Sequence, residues 1–460
     1  MINLGTSQRP LRTAIVGSGP SGFYAAEELL AAQGIFVQVD MYDRLPTPYG
    51  LVRYGVAPDH PKIKNVTKIF EKTARHPSFQ YMGNVMVGRD ISLPELQMYY
   101  DAIIFSCGAQ TDRRLGIPGE DLAGSHTATE FVAWYNGHPE YRDRKFDLSQ
   151  EVAVVIGQGN VAMDVGRILA KSVDELKNTD IAQHALDVLA ASKIRKVYVI
   201  GRRGPVQAAF TPPEIREFGE LADCGPVVDP KDLEMNPESE TELNDPNQLI
   251  HKKNFEILKQ YALFPASSKN KQIIIQFFKS PKELKGNDKL EKVVLEKNTL
   301  TGPAGKQQAV GTGQVQELAC GILFRSVGYR GIPIPGVPFD EKRGIFQNDG
   351  GRVTESGKAV PGLYAVGWIK RGPSGVIGTN KPDSLDTVQK LLTDLPNLKP
   401  CPKPDRPAVI NFLKNKKIRL VNFQDWEKID TAEIERGKTA GKPREKFVKV
   451  AEMLEILNKK

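Results

Sequence analysis

Cysteine is scarce in this chain. There are four in 460 residues, Cys107, Cys224, Cys320 and Cys401, with no CxxC pair and no zinc-type spacing. That excludes a disulfide framework, a zinc knuckle and a dithiol redox motif as organising features, and the four read as reduced thiols. The six histidines form no HExxH or paired-ligand pattern, so no metal centre is expected. No apolar run approaches the roughly 18 residues that a membrane-spanning helix needs. The few residues before the first strand have no apolar core of a secretory signal, and any targeting segment is expected to lie outside this sequence. Charge of neither sign dominates: 63 Lys and Arg stand against 55 Asp and Glu, a formal excess of +8. So modest an excess, without a nucleic-acid-binding motif, argues against nucleic acid as the partner. It favours an acidic partner through steering, or serves solubility alone.

What is abundant is the material of a large globular protein: 40% apolar and 26% charged residues, enough for two or three domains. Strand and helix patterns alternate, which points to an α/β fold. Leu11 to Gly17 reads as a strand, Phe23 to Ala32 as a helix and Val37 to Tyr42 as a second strand. Gly17, Gly19 and Gly22 stand between the first two in GxGxxG spacing. The first glycine permits a tight turn, the second lets backbone approach a pyrophosphate, and the third allows helix to pack on strand. The pyrophosphate then rests on the helix N-terminus, where free amides and the helix dipole favour an anion. Asp43 follows Gly22 by 21 residues, where a carboxylate accepts hydrogen bonds from ribose hydroxyls.

The plan recurs with one change. Val152 to Ile156 is a strand, Gly157, Gly159 and Ala162 give GxGxxA, and a helix follows to about Lys171. The next strand, Lys196 to Ile200, leads to Arg202 and Arg203 where the first unit has its acid. An unmodified ribose leaves two guanidinium groups without an anion, whereas a 2′-phosphate offers each a charge-assisted contact. At about 1.5 kcal/mol per contact, two give roughly 3 kcal/mol, or about two decades of preference for NADP(H). An acid-terminated site suits FAD or NAD. A chain holding both sites is suited to passing a hydride from nicotinamide to flavin.

Five stretches carry a more specific resemblance: "YGLVRYGVAPDHPKIKNV" (49–66), "VIGQGNVAMDVGRIL" (155–169), "GRRGPVQAAFTPPEIRE" (201–217), "GLYAVGWIKRGPSGVIGTN" (362–380) and "DWEKIDTAEIERGKTAGKPREK" (425–446). The chain resembles the adrenodoxin reductase family, the mitochondrial NADPH:ferredoxin oxidoreductases, over nearly its whole length. The resemblance implies FAD and NADP as cofactors, hydride transfer from NADPH to FAD, and release of single electrons to an acidic 2Fe-2S ferredoxin. It implies FAD contacts at Gly17, Gly19, Ser21, Gly22, Asp43, Leu51 and Val87, and again at Trp368, Gly375, Val376 and Ile377. NADP(H) contacts are implied at Gln158, Gly159, Asn160, Val161, Arg202, Arg203, Glu214 and Gly375. Asp43 departs from the glutamate more usual there, and being shorter it could hold the ribose less tightly. Trp368 stands where related two-nucleotide flavoenzymes carry an acid that holds the ribityl chain, which with the missing CxxC sets the chain apart from disulfide reductases.

His60 and Asp164 are the titratable pair expected near the flavin, where they would help a proton follow the electrons. Arg216, Lys252 and Lys253 are candidate ferredoxin contacts by the same resemblance, and a mitochondrial-matrix location without the presequence is implied.

Two Rossmann-like domains with central parallel sheets are expected, a discontinuous FAD domain (1–109 and 332–460) and an NADP domain (110–331). "KQIIIQFFKS" and "KLEKVVLEKNTL" read as strands of a small antiparallel insertion, "DPKDLEMNPESETELNDPNQ" as a loop, and the tail after about Leu395 as a surface wrap. Two other readings fit the two-site pattern: a different flavin oxidoreductase, such as a diaphorase or an electron-input subunit, or a non-catalytic FAD/NADP-binding protein. Steroid hydroxylation and iron–sulfur cluster assembly are both open as downstream pathways.

Overall fold

The structure is a computed structural model that describes residues 3–264 and 269–458. Its first glycine-punctuated unit is β1 (Leu11–Val16), α1 (Pro20–Ala31) and β2 (Val37–Tyr42); the second is β3 (Val152–Ile156), α2 (Asn160–Ala170) and β4 (Lys196–Ile200). All six residues of β1 are buried, as are four of the five in β3. Near-continuous apolar runs of this kind mark strands covered on both faces.

Each unit nucleates its own sheet. In the first, β1 lies between β2 and Ala102–Phe105, with Phe79–Met82 outside β2; Lys358–Ala365 returns from far along the chain to pair in parallel with Ala102–Phe105. Arg352–Glu355 and Asn348–Asp349 extend that edge in antiparallel sense. The second sheet is parallel throughout, in the order Ser125–Thr127, Ile322–Arg325, β3, β4, Lys271–Gln276 and Cys224–Val228. Between the sheets, Thr111–Asp112 pairs with Tyr329–Arg330. Both strand ends that carry glycine loops therefore open beside the segments that cross between the sheets.

Three readings are corrected. Lys271–Gln276 belongs to the second parallel sheet rather than to the antiparallel insertion, which consists of Lys279–Lys285, Lys292–Thr301 and Gln308–Ala319. The run Ile273, Ile274 and Ile275 suits a central strand as well as a hairpin, and only the pairing partners decide between them. The polar stretch read as a loop holds a helix, Pro237–Asn244, started by the Asn236 side chain accepting from the Ser239 amide. The tail is more than a wrap. Its helices Arg406–Asn415, Phe423–Thr439 and Val450–Ile456 put Val409 and Leu413 under one face of the first sheet, and Trp426, Ile429 and Met453 against Phe23 and Phe70 on the other.

Candidate active site

In the first loop, Gly17 has φ +111°, and a Cβ there would lie 2.6 Å from the Ser106 carbonyl oxygen. A Cβ at Gly22 would come within 2.4 Å of the Gly17 oxygen, so both positions are closed by backbone packing. Gly19 differs. Nothing lies within 4 Å of its hypothetical Cβ, and it caps α1 without any side-chain acceptor for the first-turn amides. That open cradle of unpaired N–H groups is what a pyrophosphate fits.

Asp43, just past the end of β2, accepts from the Ser18 hydroxyl (2.5 Å) and amide (3.2 Å) and from the Leu45 amide (2.9 Å). Burial raises its pKa, and these hydrogen bonds only partly offset the effect. Gly50 brings the chain back over the loop, since its Cβ would lie 3.0 Å from the Gly19 Cα. Next to it Leu51 is exposed, while Val87 is half-buried beyond the same end of the first sheet, just after the Val85 amide bonds to the Asp43 carbonyl.

The late segment closes the same site. A Cβ at Gly367 would lie 2.5 Å from the Ser21 hydroxyl oxygen, and the Ser384 hydroxyl donates to the Ser21 carbonyl at 2.9 Å. The Trp368 indole N–H donates to the Ser374 carbonyl at 3.1 Å, and its ring packs on Tyr329 with centroids 5.2 Å apart. Trp368 thus joins the Gly372–Ser374 turn to the crossover between the sheets. Gly375 takes φ +81°, Val376 is exposed, and Ile377 leads into α3 (Asn380–Asp394).

One carboxylate was missed in the sequence. Asp383, in the first turn of α3, accepts from the Gly367 amide at 2.6 Å and pairs with Lys370 at 3.1 Å. It reaches from 16 residues away the neighbourhood where an acid directly after the glycine was looked for and Trp368 found. An acid in the first turn of the helix after "GTN" was the available signal.

The second loop repeats the division of labour. Gly157 has φ +132° and is shut against the Ser326 carbonyl, whereas Gly159, at the cap of α2, faces open space. The Gln158 amide donates to the Gln276 carbonyl (3.0 Å), and Asn160 Oδ1 accepts from the Thr211 amide (2.9 Å). Val161 is partly buried against the core of this sheet. Past β4, the Arg202 guanidinium is exposed and has no hydrogen bond or ion pair among the described residues. Arg203 donates only to the Gln207 carbonyl, at 3.3 Å. Burial, then the neighbouring Arg202 charge, lower the Arg203 pKa. Two adjacent cations with no carboxylate in ion-pair reach, only the charge of Glu242 acting on Arg203 from further away, suit an anion.

Between the two loops lies a cluster of charges drawn from both sheets. Asp59 and His60 come from the loop after Tyr54, Asp164, Arg167 and Lys171 from α2 and its end, and Glu214 and Glu217 from the helix Pro212–Glu220. The buried Arg167 guanidinium holds Asp59 (2.8 Å), Asp164 (2.6 Å), Glu214 (3.0 Å) and Glu217 (3.1 Å), and Lys171 reaches Asp59 at 2.8 Å. His60 Nε2 meets Glu217 at 2.9 Å.

Four carboxylates facing two permanent cations cannot all ionise out of water at neutral pH. Burial, then Asp164, pushes Glu214 up to about 7, and burial raises Asp164 as well. Burial opposes ionisation of Asp59 too, but Arg167 and Lys171 outweigh it and hold the carboxyl below its usual range. Burial alone would lower His60, and the Glu217 hydrogen bond together with the Asp164 and Asp59 charges more than reverses that. His60 and Asp164, expected as a pair, thus belong to a larger proton-holding network centred on Arg167. His60, Asp164 and Glu214 bring ligand atoms within 4.8 Å of one another. A divalent ion would there have to displace a buried guanidinium. The expected partner contacts Arg216, Lys252 and Lys253 are all exposed.

Comparison with known proteins adds to this geometry. Residues 11–220 match the family model described as pyridine nucleotide-disulphide oxidoreductase. The chain is 46% identical over 460 residues to the NADPH-ferredoxin reductase FprA of Mycobacterium tuberculosis, covering 97% of this chain and 99% of that protein. It is 44% identical to the mitochondrial NADPH:adrenodoxin oxidoreductase of Salvelinus fontinalis, covering 97% and 91%. A solved structure of M. tuberculosis FprA in complex with NADPH superposes with a TM-score of 0.93, covering 98% of this chain and all of that one at 45% identity.

Proposed function

Because the chain belongs to the NADPH-ferredoxin and adrenodoxin reductase family, we propose that it takes electrons from NADPH and delivers them singly to an acidic 2Fe-2S ferredoxin. It is an FAD- and NADP-dependent oxidoreductase. Bound FAD supplies the chemistry, accepting a hydride from NADPH and parting with one electron at a time.

The chain's own residues bind and orient. In this reading Gly17, Gly19, Ser21 and Gly22 seat the FAD pyrophosphate on α1, Asp43 takes the ribose, and Leu51, Val87, Trp368 and the Gly375-Val376-Ile377 turn border the flavin. Gln158, Gly159, Asn160 and Val161 receive NADP(H) on α2, Arg202 and Arg203 take its 2′-phosphate, and Glu214 and Gly375 flank the other end. Residues 1–109 and 332–460 make the FAD domain and 110–331 the NADP domain. Two dinucleotides held by separate sheets meet at the crossover, which is the positioning that hydride transfer requires.

Net turnover converts NADPH and two oxidised ferredoxins into NADP⁺, two reduced ferredoxins and one proton. That proton needs an acceptor beside the cleft. The Arg167 cluster offers Glu214, titrating near neutrality, and the His60–Glu217 pair. Asp164 tunes both through its charge.

The observation carrying this reading is the pairing, in one chain, of an acid-terminated and an arginine-terminated glycine loop with near full-length identity to such reductases. NADPH-driven cytochrome c reduction that depends on added 2Fe-2S ferredoxin tests it; reduction that needs no ferredoxin, or never occurs, counts against it. Arg216, Lys252 and Lys253 are proposed partner contacts. The relatives divide between bacteria and mitochondria, so a matrix location rests on the latter group alone, and fractionation of the source cells decides it.

A further inference from the structure

Outside the nucleotide loops the structure has a second concentration of positive charge, most of it without a carboxylate partner among the described residues. A cleft of about 450 Å³ is lined by Arg113, Lys342, Arg343 and Arg371, together with Ile345 and the Gly372–Ser374 segment. The four cations come from three separate places. Arg113 follows the crossover strand Thr111–Asp112, and its amide bonds to the Gly328 carbonyl at 2.9 Å. Lys342 and Arg343 form the tip between Phe339–Asp340 and Ile345–Phe346, and Arg371 ends the short helix that begins at Trp368.

Among the described residues only Asp383 forms an ion pair with a cleft side chain. Glu341 pairs with Arg330, and Asp340 Oδ1 accepts from the Arg343 amide at 2.9 Å. Arg371 is the engaged member: it lies 3.7 Å from Asp383, which also holds Lys370 and the Gly367 amide, and it donates to the Ser374 carbonyl, Thr379 Oγ1 and Asn380 Oδ1. Lys342 and Arg343 have no side-chain hydrogen bond or ion pair among the described residues, and Arg113 donates only to the Arg343 carbonyl, at 3.0 Å.

Isolated surface cations usually need no explanation. Three without a carboxylate partner, Arg113, Lys342 and Arg343, around one concavity repel one another, and an anion relieves that repulsion. Position adds to the argument, because the Gly372–Ser374 segment runs directly into the Gly375–Ile377 turn proposed to border the flavin. Arg202 and Arg203, on the other sheet, serve the 2′-phosphate of NADP(H), so these cations are not needed there, although the far end of that cofactor is proposed to reach the neighbouring Gly375. An open cleft with side chains at its rim suits carboxylates projecting from a protein surface.

We propose that this cleft is a docking socket for acidic side chains of the iron–sulfur partner, seating them beside the flavin turn. The proposal rests on the reading of the chain as a ferredoxin reductase. The socket is distinct from Arg216, Lys252 and Lys253, which lie on and near the helices of the second sheet. It uses residues from both sides of the crossover, so a partner seated there also bridges the two sheets.

The test is the double reversal K342E/R343E, with K342E alone as a milder companion, assayed with an acidic adrenodoxin-type 2Fe-2S ferredoxin. Expected are a rise of about tenfold in the ferredoxin concentration for half-maximal rate at low salt, and a flatter dependence of that rate on ionic strength. NADPH bleaching of the flavin and ferricyanide reduction should stay at wild-type rates, which also establishes that the variant is folded. If the double variant loses its flavin, K342E alone is read by the same criteria with about a threefold rise expected. Wild-type ferredoxin kinetics in a folded variant would overturn the socket. So would a rise confined to the KM for NADPH, which would make the cofactor the occupant. A wild-type protein that bleaches with NADPH but passes nothing to ferredoxin refutes the functional reading instead.

Discussion

Replacing Arg202 and Arg203 by alanine removes two cations that the protein itself leaves unsatisfied. Arg202 contacts no acceptor among the described residues, and Arg203 has one carbonyl at 3.3 Å. Their loss strands no buried partner, and the like-charge repulsion that lowers the Arg203 pKa disappears, so thermal stability should hold or rise slightly. Binding is where the cost falls. Each charge-assisted contact to a 2′-phosphate is worth about 1.5 kcal/mol, so the pair contributes about 3 kcal/mol, or roughly 150-fold in the dissociation constant. NADH lacks that phosphate and should bind the variant about as weakly as it binds wild type. The assay is stopped-flow flavin bleaching at 450 nm over a range of NADPH and of NADH. The expected result is a half-saturating NADPH concentration raised by about two decades, with the NADH value and both limiting rates little changed. Equal losses for both nucleotides would show that the arginines do not read the phosphate.

Gly22→Ala drives a methyl to within 2.4 Å of the Gly17 carbonyl and should cost about 1–3 kcal/mol in a denaturant melt. Gly19→Ala meets nothing within 4 Å and should melt like wild type while retaining less FAD on gel filtration; equal melting losses would mean that the open cradle is misread. Glu214 holds its proton up to about 7 when folded and near its ordinary value of 4.5 when unfolded. Its contribution is therefore full below about pH 4.5 and lost as pH rises through 7. E214Q, neutral throughout, should flatten the decline in unfolding free energy over that window, by about 1–3 kcal/mol in denaturant melts, and an unaltered profile would remove Glu214 from the proton account. D383N leaves Lys370 with Asp386 and Thr387 as its remaining polar side-chain partners and should destabilise by about 1–3 kcal/mol with faster FAD loss, measured by thermal shift and released-flavin fluorescence.

Both glycine loops were legible in the sequence because their physics is local. A turn that closes against backbone excludes Cβ, and Gly17, Gly22 and Gly157 sit at such closures, while Gly19 and Gly159 open where a ligand needs room. The arginine pair was legible for a related reason, since strand-end cations without an acid partner stand out in the chain itself. The charge cluster around Arg167 was seen only at its edges, His60 and Asp164. Its other members arrive from elements about 50 to 160 residues apart, and the nature of the site depends on how many carboxylates share one guanidinium. Asp383 escaped notice because its role depends on where a helix N-terminus lands against Gly367. Lys271–Gln276 was assigned to the wrong sheet because an isoleucine run records burial without naming its hydrogen-bonding partners.

The most direct measurement of the central claim is a sequential-mixing experiment on the purified holoprotein. NADPH is added first under anaerobic conditions and oxidised 2Fe-2S ferredoxin second, with flavin and cluster absorbance followed together. The account predicts a yellow protein that NADPH bleaches and that ferredoxin then recolours, with two ferredoxins reduced per NADPH. A protein that binds no flavin, or a reduced flavin that ferredoxin does not reoxidise, would contradict it.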